Sequence, residues 1–139
     1  MAQGLRRPLS HLLATVVLAA GAMAAWAAWL GWDQHRDVHP DGATTGPYEA
    51  WQVIGLVLTL LVAVYWAASR GHVVAAALGP GIGLTAAAAY DWSDDGSGLF
   101  VIGAGLVLVG TLVVAGGLAL LIAARTRNGA AGRVGRRSR

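Results

Sequence analysis

The chain of 139 residues has no cysteine and no lysine, one phenylalanine, four prolines, and charged residues at only 12%. Without cysteine, disulfide scaffolding, thiol redox chemistry and thiolate metal sites are excluded. The low charge excludes a soluble globule, which carries roughly 25% charged residues and needs them to cover a large surface. Ten arginines and seven carboxylates cannot provide that cover, because four long stretches contain none of them. A hydrophobic share of 56% also excludes a disordered chain. The remaining class is an integral membrane protein.

The charge-free stretches cover residues 8–32, 50–69, 71–90 and 96–124. A helix rises 1.5 Å per residue, so about 20 residues cross a hydrocarbon core of roughly 30 Å. Each stretch is long enough to cross once. Residues 50–90 as one helix would be roughly 60 Å long, so the chain must fold back at Ser69-Arg70-Gly71. The expected fold class is therefore all-α: a four-helix transmembrane bundle of two helical hairpins, with spans near 11–31, 50–69, 72–90 and 98–124. The Ala/Leu/Val runs do not alternate as barrel strands do. The first span also has a signal-peptide look, with Arg6 and Arg7 before an apolar run and Ala22-Met23-Ala24 as a small-x-small site. The run continues past Met23 without charge and carries Trp26, Trp29 and Trp32, which suits a span better.

Arginine sets the expected orientation, since it biases short loops toward the cytoplasm. Nine of the ten arginines lie on one side: Arg6, Arg7, Arg70 and the six from Arg125 to Arg139. The other side holds Arg36 and all seven carboxylates, a balance of +9 against −6. Both termini are expected in the cytoplasm, with residues 1–10 and 125–139 as cytoplasmic ends. Aromatic residues, which favour the membrane interface, cluster at the acidic ends of the spans: Trp29, Trp32, Tyr48, Trp51, Tyr90, Trp92 and Phe100. Tyr65 and Trp66 mark the arginine end of the second span.

No Asp, Glu or Arg lies deep in a span, and the polar groups there are Thr15, Thr59, Thr85 and Thr111. Proton relays and many ion-coupled carriers depend on buried ionisable groups, so their absence disfavours a proton-coupled transporter. His11 and His72 fall at arginine-side helix ends. Small residues mark close helix contacts in lipid, and Gly79-Pro80-Gly81-Ile82-Gly83 contains a Gly-x-x-x-Gly pair. Pro80 removes a backbone hydrogen bond and predicts a kink near mid-span. Gly79, Pro80 and Gly83 are accordingly the candidate kink and packing residues, and a break here could also mark a transport site.

Chemistry is expected mainly in the acidic loops. In the first, Asp33, His35, Asp37, His39 and Asp41 fall at every second position, so an extended segment would place all five on one face. Carboxylate with imidazole suits Zn²⁺, Cu²⁺ or Ni²⁺, and Pro40 and Gly42 favour a closing turn. The leading reading is a solvated acidic loop with two exposed histidines, with divalent-metal binding the alternative; no other cofactor is expected. In the second loop Asp91, Ser93, Asp95 and Gly96 match the opening of an EF-hand, but its twelfth position is Ile102 instead of a bidentate Glu. A similar half-match starts at Asp37 and ends on Tyr48.

Gly46 and Pro47 lead into the second span, and Glu49 suits the positive end of its dipole. This Gly-Pro-Tyr-Glu-Ala-Trp-Gln-Val stretch, within a lysine-free Ala/Arg-rich chain, resembles small four-span integral membrane proteins of actinobacteria. The resemblance implies a bacterial plasma membrane and supplies no activity or site. The tail 125–139 has six Arg among Gly, Ala and Ser and is expected to be disordered, with its charge near anionic lipid. It lacks the aromatics or folded module of a nucleic-acid binder, so nucleic acid is not an expected partner. The expected partners are the lipid bilayer and a membrane protein or a second copy of the chain. The leading expectation for function is a non-enzymatic structural, accessory or partner-binding membrane protein. The alternatives are a divalent-metal-binding or sensing protein and a small permease or channel.

Overall fold

The computed structural model describes residues 2–94 and 96–137. In chain order the elements are α1 (Ala2–Trp29), β1 (Asp37–Val38), β2 (Thr44–Thr45), α2 (Ala50–Ser69), α3 (Val73–Asp91) and α4 (Phe100–Arg137). All four helices are long and apolar enough to cross a membrane. The expected reversal between the second and third spans is a Schellman turn. The Gly71 N–H donates to Ala68 O at 3.1 Å and the His72 N–H to Ala67 O at 2.9 Å, with Gly71 at φ +87°. Only glycine takes that left-handed backbone without strain, which is why α2 stops there.

The bundle is built around α3, which packs most extensively on α1 and α4 and more lightly on α2; among the described residues the α1 and α4 backbones do not come within 8 Å, Cα to Cα. Its interior is made of small side chains. Val64, Ala67, Ala68, Ala76, Ala115 and Ala119 form the buried cluster. Large aliphatics point outward instead: Val17 is 64% exposed, Val113 69% and Leu120 66%. A soluble bundle buries its leucines and valines. This chain buries alanine and displays leucine, the arrangement expected where van der Waals contact between helices, not exclusion from water, holds them together.

Two expectations about the elements need correction, and the acidic loop brings one small addition. The tail was expected to be disordered from residue 125, yet α4 runs on to Arg137. Helix propagation is cheap once a long helix is nucleated, and Ala and Arg are good formers, which outweighs Gly129, Gly132 and Gly135. Helix α1 likewise starts at Ala2, nine residues before the expected span, with Pro8 inside it. The acidic loop contributes a strand pair, an addition to the all-α expectation, with Asp37 opposite Thr45 and Val38 opposite Thr44. Helix α3 stays helical through Pro80, which is under 2% exposed; neighbouring helices hold the turn that proline weakens.

Candidate functional site

The polar side chains converge at the acidic end, around the entry to α2. The spacing Glu49-x-x-Gln52 is that of a capping box, and the Glu49 N–H donates to Gln52 Oε1 at 2.6 Å. Gln52 is fully buried, the one buried polar residue of the core among the described residues, and its Nε2 donates to Asp33 Oδ2 at 3.1 Å. A buried amide left unpaired would cost about 1–3 kcal/mol, so Asp33 and the Glu49 backbone together make this position tolerable. Trp51 Nε1 donates to Glu49 Oε2 at 2.6 Å. The Tyr48 hydroxyl donates to the Asp91 carboxylate at the end of α3. Burial, reinforced by the hydrogen bond and charge of Asp91, pushes the Tyr48 hydroxyl well above the ordinary phenol range.

An aromatic layer lies beneath these bonds. Trp51 meets Trp29 edge-on, with ring centroids 6.3 Å apart at 73°, and Trp32 at 6.3 Å. Trp29 reaches across to α2 and donates through Nε1 to Thr59 Oγ1 at 3.1 Å. Its ring can lie there because residue 55 is glycine: a Cβ at Gly55 would stand 2.5 Å from the ring. Four residues of one short motif, 48–52, thus fasten the α1 end, the start of α2 and the end of α3.

The five candidate metal ligands do not come together. Asp33 faces Gln52. Asp41 Oδ1 accepts the Ala43 N–H at 3.0 Å within its own turn, which is closed by Gly42 N–H to His39 O at 2.9 Å with Gly42 at φ +84°. His39 Nε2 pairs with Thr45 Oγ1 at 3.1 Å across the strands. Asp37 lies in β1 and His35 in the exposed connection before it. Among the described residues no three His, Asp or Glu groups gather as a metal site would require. The every-second-residue pattern needs a continuous extended segment, and only Asp37–Val38 is extended on that side. Of the EF-hand half-match, Asp95 lies outside the described residues; Asp91 receives Tyr48, and Ser93 Oγ donates to Tyr90 O at 2.7 Å. A crevice of ≈590 Å³ lies nearby, lined by Arg36, Asp91, Trp92 and Asp94 among others.

The other candidate residues lie where α1 crosses α3. A Cβ on Gly79 would be 2.5 Å from Leu18 Cβ, and one on Gly83 would be 2.3 Å from Ala19 O. Pro80 instead lines a crevice toward α2 and α4. At the arginine end His11 and His72 meet edge-on, ring centroids 5.7 Å apart, and the Arg70 guanidinium lies 5.3 Å from the Trp66 ring centre.

Sequence reasoning missed the Tyr48–Asp91 and Gln52–Asp33 links. The capping-box spacing and the one amide in the opening turn of an apolar span were the available signals. Comparison with protein-family models, with curated proteins and with solved structures gave no match.

Proposed function

We propose that the chain is a multi-pass protein of a bacterial plasma membrane, both termini cytoplasmic, that acts without catalysis by presenting its acidic, aromatic cap to a membrane-protein partner. The observation carrying this reading is the cap itself. Tyr48, Glu49, Trp51 and Gln52 each bond within it, two of them to the distant Asp91 and Asp33, so the surface they support is pre-ordered. The inverted burial pattern supports the bilayer, and the arginine asymmetry supports the orientation.

The permease alternative draws less support from the geometry. Gly79 and Gly83, where a broken helix would have opened a path, are filled by the backbone and side chains of α1. The metal alternative would need Asp33, His39 and Asp41 to give up the bonds they make.

Two measurements test the proposal together. Reporter fusions at both ends should locate them in the cytoplasm. A photo-reactive residue at exposed Val38 should cross-link to protein in native membranes, whereas one at Val113 should cross-link to lipid alone. Solute flux or substrate turnover by the purified chain in liposomes would refute a non-catalytic, partner-binding role.

A further inference from the structure

An apolar crevice of ≈300 Å³ lies between α2 and α4, floored by Pro80 and Leu84 of α3. From α2 it is walled by Val57 and Leu61, and from α4 by Gly110 and Val114. Toward the arginine end the two helices close on each other, where Val64, Ala67 and Ala68 join Ala115 and Ala119 in one cluster. Toward the acidic end Gly55 of α2 lies against the Trp29 ring and Gly103 of α4 against the Trp92 ring. The space is too small for a helix, whose diameter with side chains is about 10–12 Å. It suits a linear chain.

Position along α4 supplies the second half of the argument. Gly110, Val114, Leu121 and Arg125 follow at steps of four, seven and four, so they share one face. Arg125 is eleven residues beyond Val114, roughly 16 Å along the axis. That matches the depth of one leaflet, about half of a 30 Å core. No carboxylate follows Asp95 in the sequence, so α4 contains no acid to compete for that guanidinium. Arginine binds phosphate through paired N–H donors.

We propose that the α2–α4 crevice holds an acyl chain of an anionic phospholipid from the leaflet at the arginine end, with the lipid phosphate on Arg125. The inference rests on the bilayer reading above. Insertion of every variant into nanodiscs tests that reading separately from lipid retention.

The test uses the full chain in nanodiscs of phosphatidylglycerol and phosphatidylcholine in equal parts, with retained lipid read by native mass spectrometry after gentle release. Wild type should keep a phosphatidylglycerol in preference to phosphatidylcholine. Gly110→Leu places a side chain where nothing lies within 4 Å of a Cβ, so it should fill the crevice without disturbing the fold and lose the retained lipid. Arg125→Gln should weaken retention of the anionic lipid about fivefold, the equivalent of roughly 1 kcal/mol. Gly105→Leu, on the opposite face and equally open, should retain lipid as wild type does. Equal retention by all four proteins would overturn the proposal. So would a Gly110→Leu variant that dissociates a dimer, since a second copy would then be the occupant.

Discussion

Replacing Gly83 by alanine adds one methyl group, and the geometry leaves no room for it. The new Cβ would lie 2.3 Å from Ala19 O, 2.8 Å from Ala22 Cβ and 3.0 Å from Ala19 C. Ordinary carbon–oxygen and carbon–carbon contacts are about 3.3 Å and 3.5–4.0 Å. The shortfall is therefore about 1 Å, and the obstruction is mainly backbone, which no rotamer change can relieve. Helix α1 must back away from α3, loosening the contact from Thr15 to Ala22. Overpacking typically costs about 1–3 kcal/mol, and a backbone obstacle puts this case near 2–3 kcal/mol. Gly105→Ala meets nothing within 4 Å and relieves a flexible helical glycine, so it should stabilise by about 0.5–1 kcal/mol. Gly81→Ala would reach Leu108 and Leu112 at 3.5–3.6 Å, an ordinary contact, and should behave like Gly105→Ala. Reversible unfolding in mixed dodecyl-maltoside and SDS micelles, followed by tryptophan fluorescence, measures all three. If Gly83→Ala unfolds within about 0.5 kcal/mol of Gly105→Ala, close α1–α3 contact is the wrong account of the bundle.

Other expectations follow from the cap and the tail. Because the Tyr48 hydroxyl stays protonated above the pH at which a free phenol ionises, its contribution to stability is intact below about pH 10 and is lost as pH rises beyond; Tyr48→Phe should flatten alkaline unfolding curves and remove a late component from the ultraviolet phenolate titration. Gln52→Leu keeps volume but leaves the Glu49 N–H and Asp33 without their partner, and should cost about 1–3 kcal/mol in the same micelle assay. Zn²⁺ or Cu²⁺ titrated against wild type and His35→Ala/His39→Ala should give indistinguishable weak isotherms, whereas tight binding lost in the double variant would restore the metal site. Truncation after Ala124 removes an exposed helical extension; far-UV circular dichroism should fall while unfolding of the bundle is unchanged.

The four long apolar helices were legible in the sequence because charge-free runs and the arginine-glycine reversal report directly on where a helix can continue and where it must turn. Their packing was only partly legible. Gly79 and Gly83 were visible as a pair, but with 20 glycines in the chain, spacing alone could not say which helix they meet. The Asp/His alternation presupposes an extended loop, whereas Asp41 and Gly42 close a turn and Asp33 lies in the turn that follows α1. Tyr48 and Asp91 are 43 residues apart. No local pattern encodes such a pairing; it follows only from how the two hairpins dock. The tail was judged on composition, which describes an isolated peptide, not one growing from an existing helix.

The central place of α3 bears on how the molecule is made. Helices leave the ribosome in order, and α1 finds most of its contact on a helix that emerges third. Until then the nascent pair α1–α2 is joined where Trp29 meets Trp51 and Thr59, toward the acidic ends of the two helices. A fragment ending before Val73 has no interior to gather around. Synthesis arrested at that point leaves a separable hairpin for the cell's quality-control proteases, and completion of one further helix converts it into a bundle.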